Sequence, residues 1–163
     1  MAQSRAYCQA YESVFGDEDP ASFIDLGHFV AAQDPVIDQV RAELRAGHKR
    51  SHWMWYVFPQ LAALGRSPTA RVYGLADLAE ARAYWAHPLL GPRLKAVATL
   101  LLGVHGRSVH QIFGPPDDLK LRSCMTLFER AAPEEPVFAQ VLSRYYGGAR
   151  DPMTLSLLDD GRP

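Results

Sequence analysis

From Gly47 to Gln60 the chain reads GHKRSHWMWYVFPQ, a basic and hydroxylated cluster that runs straight into the densest aromatic stretch. Lys49 and Arg50 are cations of the kind that hold phosphate or carboxylate. Ser51 is a capping type. With a helix starting at His52, free backbone amides would point outward beside Lys49 and Arg50 and complete an anion site. His52 is the acid–base candidate, because imidazole titrates near neutrality. Trp53 and Trp55 can offer a stacking wall to a base or sugar. Two tryptophans two residues apart cannot share a helical face, so at least one belongs to the core. A plainer reading competes: the cations complement the dipole at the end of the preceding helix, and the aromatics are packing. His48 and His52 stand four apart, but no third ligand follows them, so no zinc site is expected.

A second constellation is PPDDLKLRSCMTLF, residues 115–128. Asp117 reads as a helix cap, and Asp118 with Arg122 as an i,i+4 ion pair that leaves Lys120 free. Lys120, Ser123 and Thr126 then form a polar strip at i,i+3 spacing. Such a strip suits an anionic or hydroxyl-rich ligand. The competing reading is a snorkelling lysine with hydroxyls bonded to the preceding turn. No GxSxG, Walker loop, GxGxxG or Cys–His signature is present, which disfavours the hydrolase, P-loop and Rossmann assignments.

The elements that must carry these residues read as helices. PVIDQVRAELRAG has Asp34 and Pro35 at its head, Val36, Val40 and Leu44 at helical spacing, and Gly47 as a stop. SPTARVYG and DPMTLSLL repeat the cap-then-proline start. DLAEARAYWAH carries a capping box, Asp77 with Glu80. LLGPRLKAVATLLLG is a long apolar segment. Leu121, Cys124, Met125, Phe128, Ala131 and Ala132 trace one buried face. EEPVFAQVLSRYYGG ends in two glycines. Segment 52–58 fits either strand or helix, and Pro59 ends it. The expected fold is all-α, seven or eight short helices in one domain over residues 21–163. The acidic, turn-like GDEDP marks residues 1–20 as a separate arm.

Composition narrows the function. The chain has 163 residues, 48% hydrophobic and 21% charged, with net charge −1. That suits one globular domain with a proper core. The near-neutral charge disfavours broad nucleic-acid or anionic-membrane binding. Two cysteines, Cys8 and Cys124, form no framework, and no signal peptide or membrane span is read. The expectation is a cytoplasmic protein with no cofactor or metal.

The stretches AELRAGHKRSHWMWYVFPQLAALGRSPTA, EARAYWAHPLLGPRL and IFGPPDDLKLRSCMTLF resemble the small bacterial family known as domain of unknown function 1810, some of whose members carry a mistaken calpastatin label. The similarity runs from about Leu26 to Leu158. The resemblance implies a mainly helical single-domain fold and brings no reaction or cofactor. It puts weight on Lys49, Ser51, His52, Trp53, Trp55, Pro59, Gln60, Lys120, Ser123 and Thr126, which sit in the matching motifs. His28, Ile37 and Cys124 depart from the family's pattern. The expected function is binding of a small phosphate- or nucleotide-like anion between 48–53 and 117–126, with His52 for proton transfer. The alternative is a ligand-free helical module for a protein partner. The two readings diverge on one question, whether the two segments meet in space.

Overall fold

The computed structural model describes residues 24–160, and the arm expected over residues 1–20 lies outside them. Among the described residues the chain forms ten helices and no strand. They are α1 (Gly27–Gln33), α2 (Ile37–Arg45), α3 (Met54–Val57), α4 (Pro68–Val72), α5 (Leu78–Ala86), α6 (Leu90–Leu102), α7 (Val109–Phe113), α8 (Asp117–Ala131), α9 (Val137–Tyr146) and α10 (Pro152–Asp160). One isolated parallel bridge joins Leu61 to Leu75. The fold is all-α. The two helices beyond the expected set are the short α1 and α7. A capping box holds α7: Ser108 Oγ accepts from the Gln111 amide, and the Gln111 side chain accepts from the Ser108 amide.

Local chemistry explains most helix starts. Ser67 accepts from the Ala70 amide at 3.1 Å with Pro68 at the first position of α4. Asp151 accepts from the Thr154 amide at 3.0 Å and opens α10. Asp77 accepts from the Glu80 amide at 2.9 Å, while Glu80 returns its bond to Ala76, one residue earlier than the expected box. Gly147, at φ 61°, closes α9 in the left-handed conformation that favours glycine. Two expected starts are displaced. Asp34 and Pro35 do not open α2, which begins at Ile37. Asp34 instead closes α1, and its carboxylate accepts from Arg93 at 2.8 Å, a tertiary pair that replaces the local cap. Asp117 is the first residue of α8, and Pro116 takes the cap position.

Helices α8 and α6 form the centre. The first packs against α5, α7, α9 and α10, the second against α2, α5 and α9. Leu121, Cys124, Met125 and Phe128 are fully buried, as the 3.6-residue period requires. Phe128 meets Tyr84 and Phe138 with ring centroids 5.4 and 5.8 Å apart. A histidine prepares the N-terminus of α6: His87 Nδ1 accepts from the Leu89 and Leu90 amides, and burial together with Arg93 lowers its pKa, keeping that nitrogen an acceptor. Two bonds tie the loop after α2 to α7 and the residues just before it, the stretch that leads into α8. The Lys49 amide donates to the Ile112 carbonyl at 2.8 Å, and Arg107 Nε donates to the Gly47 carbonyl at 2.8 Å.

Candidate functional site

Glu43 organises the loop. It is 4% exposed, in the last turns of α2. Its Oε1 accepts from the amides of Arg50 (2.7 Å) and Ser51 (3.0 Å) and from Trp53 Nε1 (3.0 Å). Its Oε2 accepts from the Ser51 hydroxyl and from Gln39 Nε2. Burial opposes ionisation here. The hydrogen bonds from Ser51, Arg50 and Gln39 outweigh it and hold the carboxyl at about 2. The carboxylate therefore fixes residues 50–53 as one turn around itself. Ser51 consequently does not cap a helix at His52: its hydroxyl serves Glu43, and the next helix, α3, starts at Met54 with no side-chain cap.

The segments 47–60 and 117–126 meet. Lys49 Nζ lies 2.9 Å from Asp117 Oδ2 and donates to the Ser51 carbonyl at 2.6 Å, with its side chain only 7% exposed. It also stands over the Trp53 ring, 5.0 Å from the centroid. Lys120 lies 3.8 Å from the other oxygen of Asp117 and stands 5.3 Å from the Trp55 ring centroid. Two ammonium groups thus flank one carboxylate, each backed by a tryptophan. Trp53 is 1% exposed and belongs to the core, whereas Trp55 is half-buried. Beside it opens a cleft lined by Trp55, Gln60, Tyr73 and Lys120 over Met54 and Phe58. Its enclosed space is about 10 Å³, about what one water needs.

The remaining residues singled out in the sequence lie elsewhere. Arg50 and His52 are exposed, and neither side chain has a hydrogen bond or ion pair among the described residues. Ser123 and Thr126 face the start of α10. The Ser123 hydroxyl donates to Asp151 Oδ2 and to the Leu119 carbonyl, both at 3.2 Å. The Thr126 hydroxyl donates to the Arg122 carbonyl and accepts from the Asp151 amide at 2.9 Å. Arg122 pairs with Asp151 at 3.6 Å and not with Asp118, which takes His110 instead at 3.2 Å. The carboxylate of Asp151 also caps α10, so a long-range pair displaces the i,i+4 one. Thr126→Val keeps the shape and leaves the buried Asp151 amide without its acceptor. Urea unfolding is expected to show a loss of about 1–2 kcal/mol. No loss would mean the hydroxyl has no structural role.

Two groups escape the sequence reading. Glu43 looks like a solvated helix charge, yet it falls seven residues after Val36 and three after Val40, on the buried stripe. His110 and Asp118 lie eight apart on separate helices, and no local spacing pairs them. Among the described residues no cluster of His, Cys, Asp or Glu is placed to hold a metal, and no helix is long and apolar enough to cross a membrane.

The family model described as protein of unknown function (DUF1810) matches residues 23–158. The chain belongs to this family. Both halves of the site fall inside the matched region. The DUF1810 chain is also similar to a solved structure, the conserved hypothetical protein Rv1873 from Mycobacterium tuberculosis. That similarity has a TM-score of 0.82 and 56% identity, over 83% of this chain and 96% of that one. No curated protein matches. Of the three departures from the family pattern, Cys124 is the one whose chemistry the fold settles. It is fully buried, and burial pushes its thiol well above the usual range, so it is packing material and not a nucleophile.

Proposed function

We propose that this DUF1810 protein binds a small anionic ligand with a flat ring, of the nucleotide or sugar-phosphate kind, at the Trp55–Lys120 cleft. The observation that carries the reading is the cation surplus there. Lys49 and Lys120 share the single carboxylate of Asp117, and Lys120 already stands over an accessible indole face. An ammonium held over a tryptophan presents charge and stacking surface side by side. Gln60 and Tyr73 supply hydrogen-bonding groups at the same mouth. The buried Lys49–Asp117 pair acts as a fixed base under the more exposed Lys120. Because the enclosed space takes only about one water, the ligand lies across the mouth and displaces the Lys120 side chain from Trp55. His52 is exposed and does not line this cleft, so the reading assigns it no acid–base role. Ser123 and Thr126 support the α8–α10 junction and do not contact the ligand.

A thermal-shift panel of nucleotides and sugar phosphates tests this. A ligand at 100 times its Kd adds about 2.7 kcal/mol, which raises the Tm of a chain of this size by about 5–10 °C. Lys120→Ala and Trp55→Ala should each abolish most of the shift while leaving the unliganded Tm near that of the wild type. A panel without a single shift, or a shift that survives both substitutions, would overturn the reading in favour of a ligand-free module.

A further inference from the structure

A second concave surface lies between α2 and α6, apart from the Trp55–Lys120 cleft, and holds about 460 Å³. Helix α6 lays Pro92, Ala96 and Leu100 along it at i, i+4 and i+8. They make one apolar line about 12 Å long. Leu89, at the cap position and 46% exposed, stands three residues before Pro92 and extends the line to about 16 Å. Among the described residues nothing covers this line: Pro92 is exposed, and Ala96 and Leu100 are half-buried. Cations run beside it. Arg41 and Arg45 come from α2, one turn apart, and Lys95 from α6. Glu135 neutralises Lys95 at 2.8 Å. Arg41 reaches only Asp38, at 3.9 Å, and that carboxylate is fully exposed, so water screens the pair. Arg45 has no hydrogen bond or ion pair among the described residues.

Charge and shape together choose the occupant. Like charges four apart on a helix repel, and the two arginines stand so in a chain whose net charge is −1. The positive charge is therefore a local feature, and its complement is a row of carboxylates, which the planar guanidinium binds through two parallel hydrogen bonds. The furrow is open along its length, whereas a small-molecule site encloses most of its ligand. An open furrow between two helices takes a third helix, and the single methyl of Ala96 in the middle of the line lets that helix come close. We propose that the α2–α6 groove docks about three turns of an amphipathic helix from a partner protein. Its apolar face lies on Pro92, Ala96 and Leu100, and its carboxylate edge lies on Arg41 and Arg45.

Two synthetic helical peptides test this on the full-length chain. They share a leucine–alanine stripe and differ in the edge beside it, glutamate in one and lysine in the other. Fluorescence anisotropy is expected to show the glutamate peptide binding at least about tenfold tighter at low salt. The preference should shrink in about 0.5 M salt, where the screening length is about 4 Å. Arg41→Glu with Arg45→Glu should reverse it. Thr99→Glu, at an exposed position of α6 on the same groove, should weaken the glutamate peptide about tenfold. That variant keeps the test valid if the arginine variant misfolds. Lys120→Ala should change neither affinity, because Lys120 belongs to the other cleft. The proposal is overturned if neither peptide binds at about 1 mM, if the two bind equally, or if Lys120→Ala abolishes binding. Sedimentation would overturn it too by showing that the chain alone self-associates and that the arginine variant does not, which assigns the groove to a second copy.

Discussion

Glu43→Gln is expected to cost about 3 kcal/mol at pH 7, and the deficit should vanish in acid. The side chain keeps its size, but one accepting oxygen becomes an amide nitrogen, so the change removes the charge together with the bonds accepted at that position. In the folded chain that carboxyl titrates at about 2, against an ordinary value of about 4.3. Each tenfold change in proton affinity is worth about 1.4 kcal/mol, which sets the figure of about 3. The sign follows from linkage. A carboxyl whose folded pKa is depressed contributes stability that is fully present above its unfolded value. That contribution is lost as pH falls toward the folded one. The gap between wild type and Glu43→Gln, measured by urea unfolding, should therefore be constant above about pH 5 and close between about pH 4.3 and 2. Other titrations, such as that of His87, affect both proteins and cancel in the difference. A gap that is small at pH 7, or that does not change with pH, would remove Glu43 as the organiser of the 50–53 turn. Glu43→Ala should be worse at neutral pH. It leaves the amides of Arg50 and Ser51 and the buried Trp53 Nε1 without an acceptor, and an unpaired buried donor costs about 1–3 kcal/mol.

The contrast between Glu43 and Ser51 says what the sequence could and could not carry. Caps that act within four residues were legible: Ser67 with Pro68 and Asp151 with Pro152 formed as their types required. The buried face of α8 was legible too, because its period is a local property. The sequence required at least one of Trp53 and Trp55 in the core, and Trp53 is that one, but it could not say which. The failures share a cause. Asp34, Ser51 and Arg122 each had a good local role, and each was taken by a partner distant in sequence: Arg93 for Asp34, Glu43 for Ser51 and Asp151 for Arg122. Tertiary bonds of this sort leave no periodicity to read. Glu43 did leave one trace, a carboxylate on an otherwise apolar stripe. Gln39, one turn back, satisfies only part of such a buried charge, and the remaining donors come from the next loop.

The same principle, that close approach is invisible in one dimension, gives the other large prediction. Gly91→Ala is expected to destabilise the fold by about 3 kcal/mol, lowering Tm by about 6–12 °C. Gly91 sits in the first turn of α6, directly after α5, and its amide donates to the His87 carbonyl at 3.2 Å. A Cβ built there would stand 2.0 Å from the Trp85 carbonyl oxygen. That atom is backbone and cannot swing aside like a side-chain end. Relief would require α5 and α6 to separate, yet both are clamped elsewhere. Helix α5 holds the fully buried Tyr84 against Phe128, and α6 holds Leu94, Val97 and Leu101 in the core. The junction is also where His87 caps α6, so a shift of the chain costs those two bonds as well. Gly103→Ala at the other end of α6 is the control. Its Cβ would meet only the Leu100 carbonyl oxygen, at 3.4 Å, and its φ of −83° is open to any residue. Calorimetry should find that variant within about 0.5 kcal/mol of the wild type. Equal effects at the two glycines would mean that the approach of α6 to Trp85 does not set the cost, since helix propensity by itself favours alanine at both.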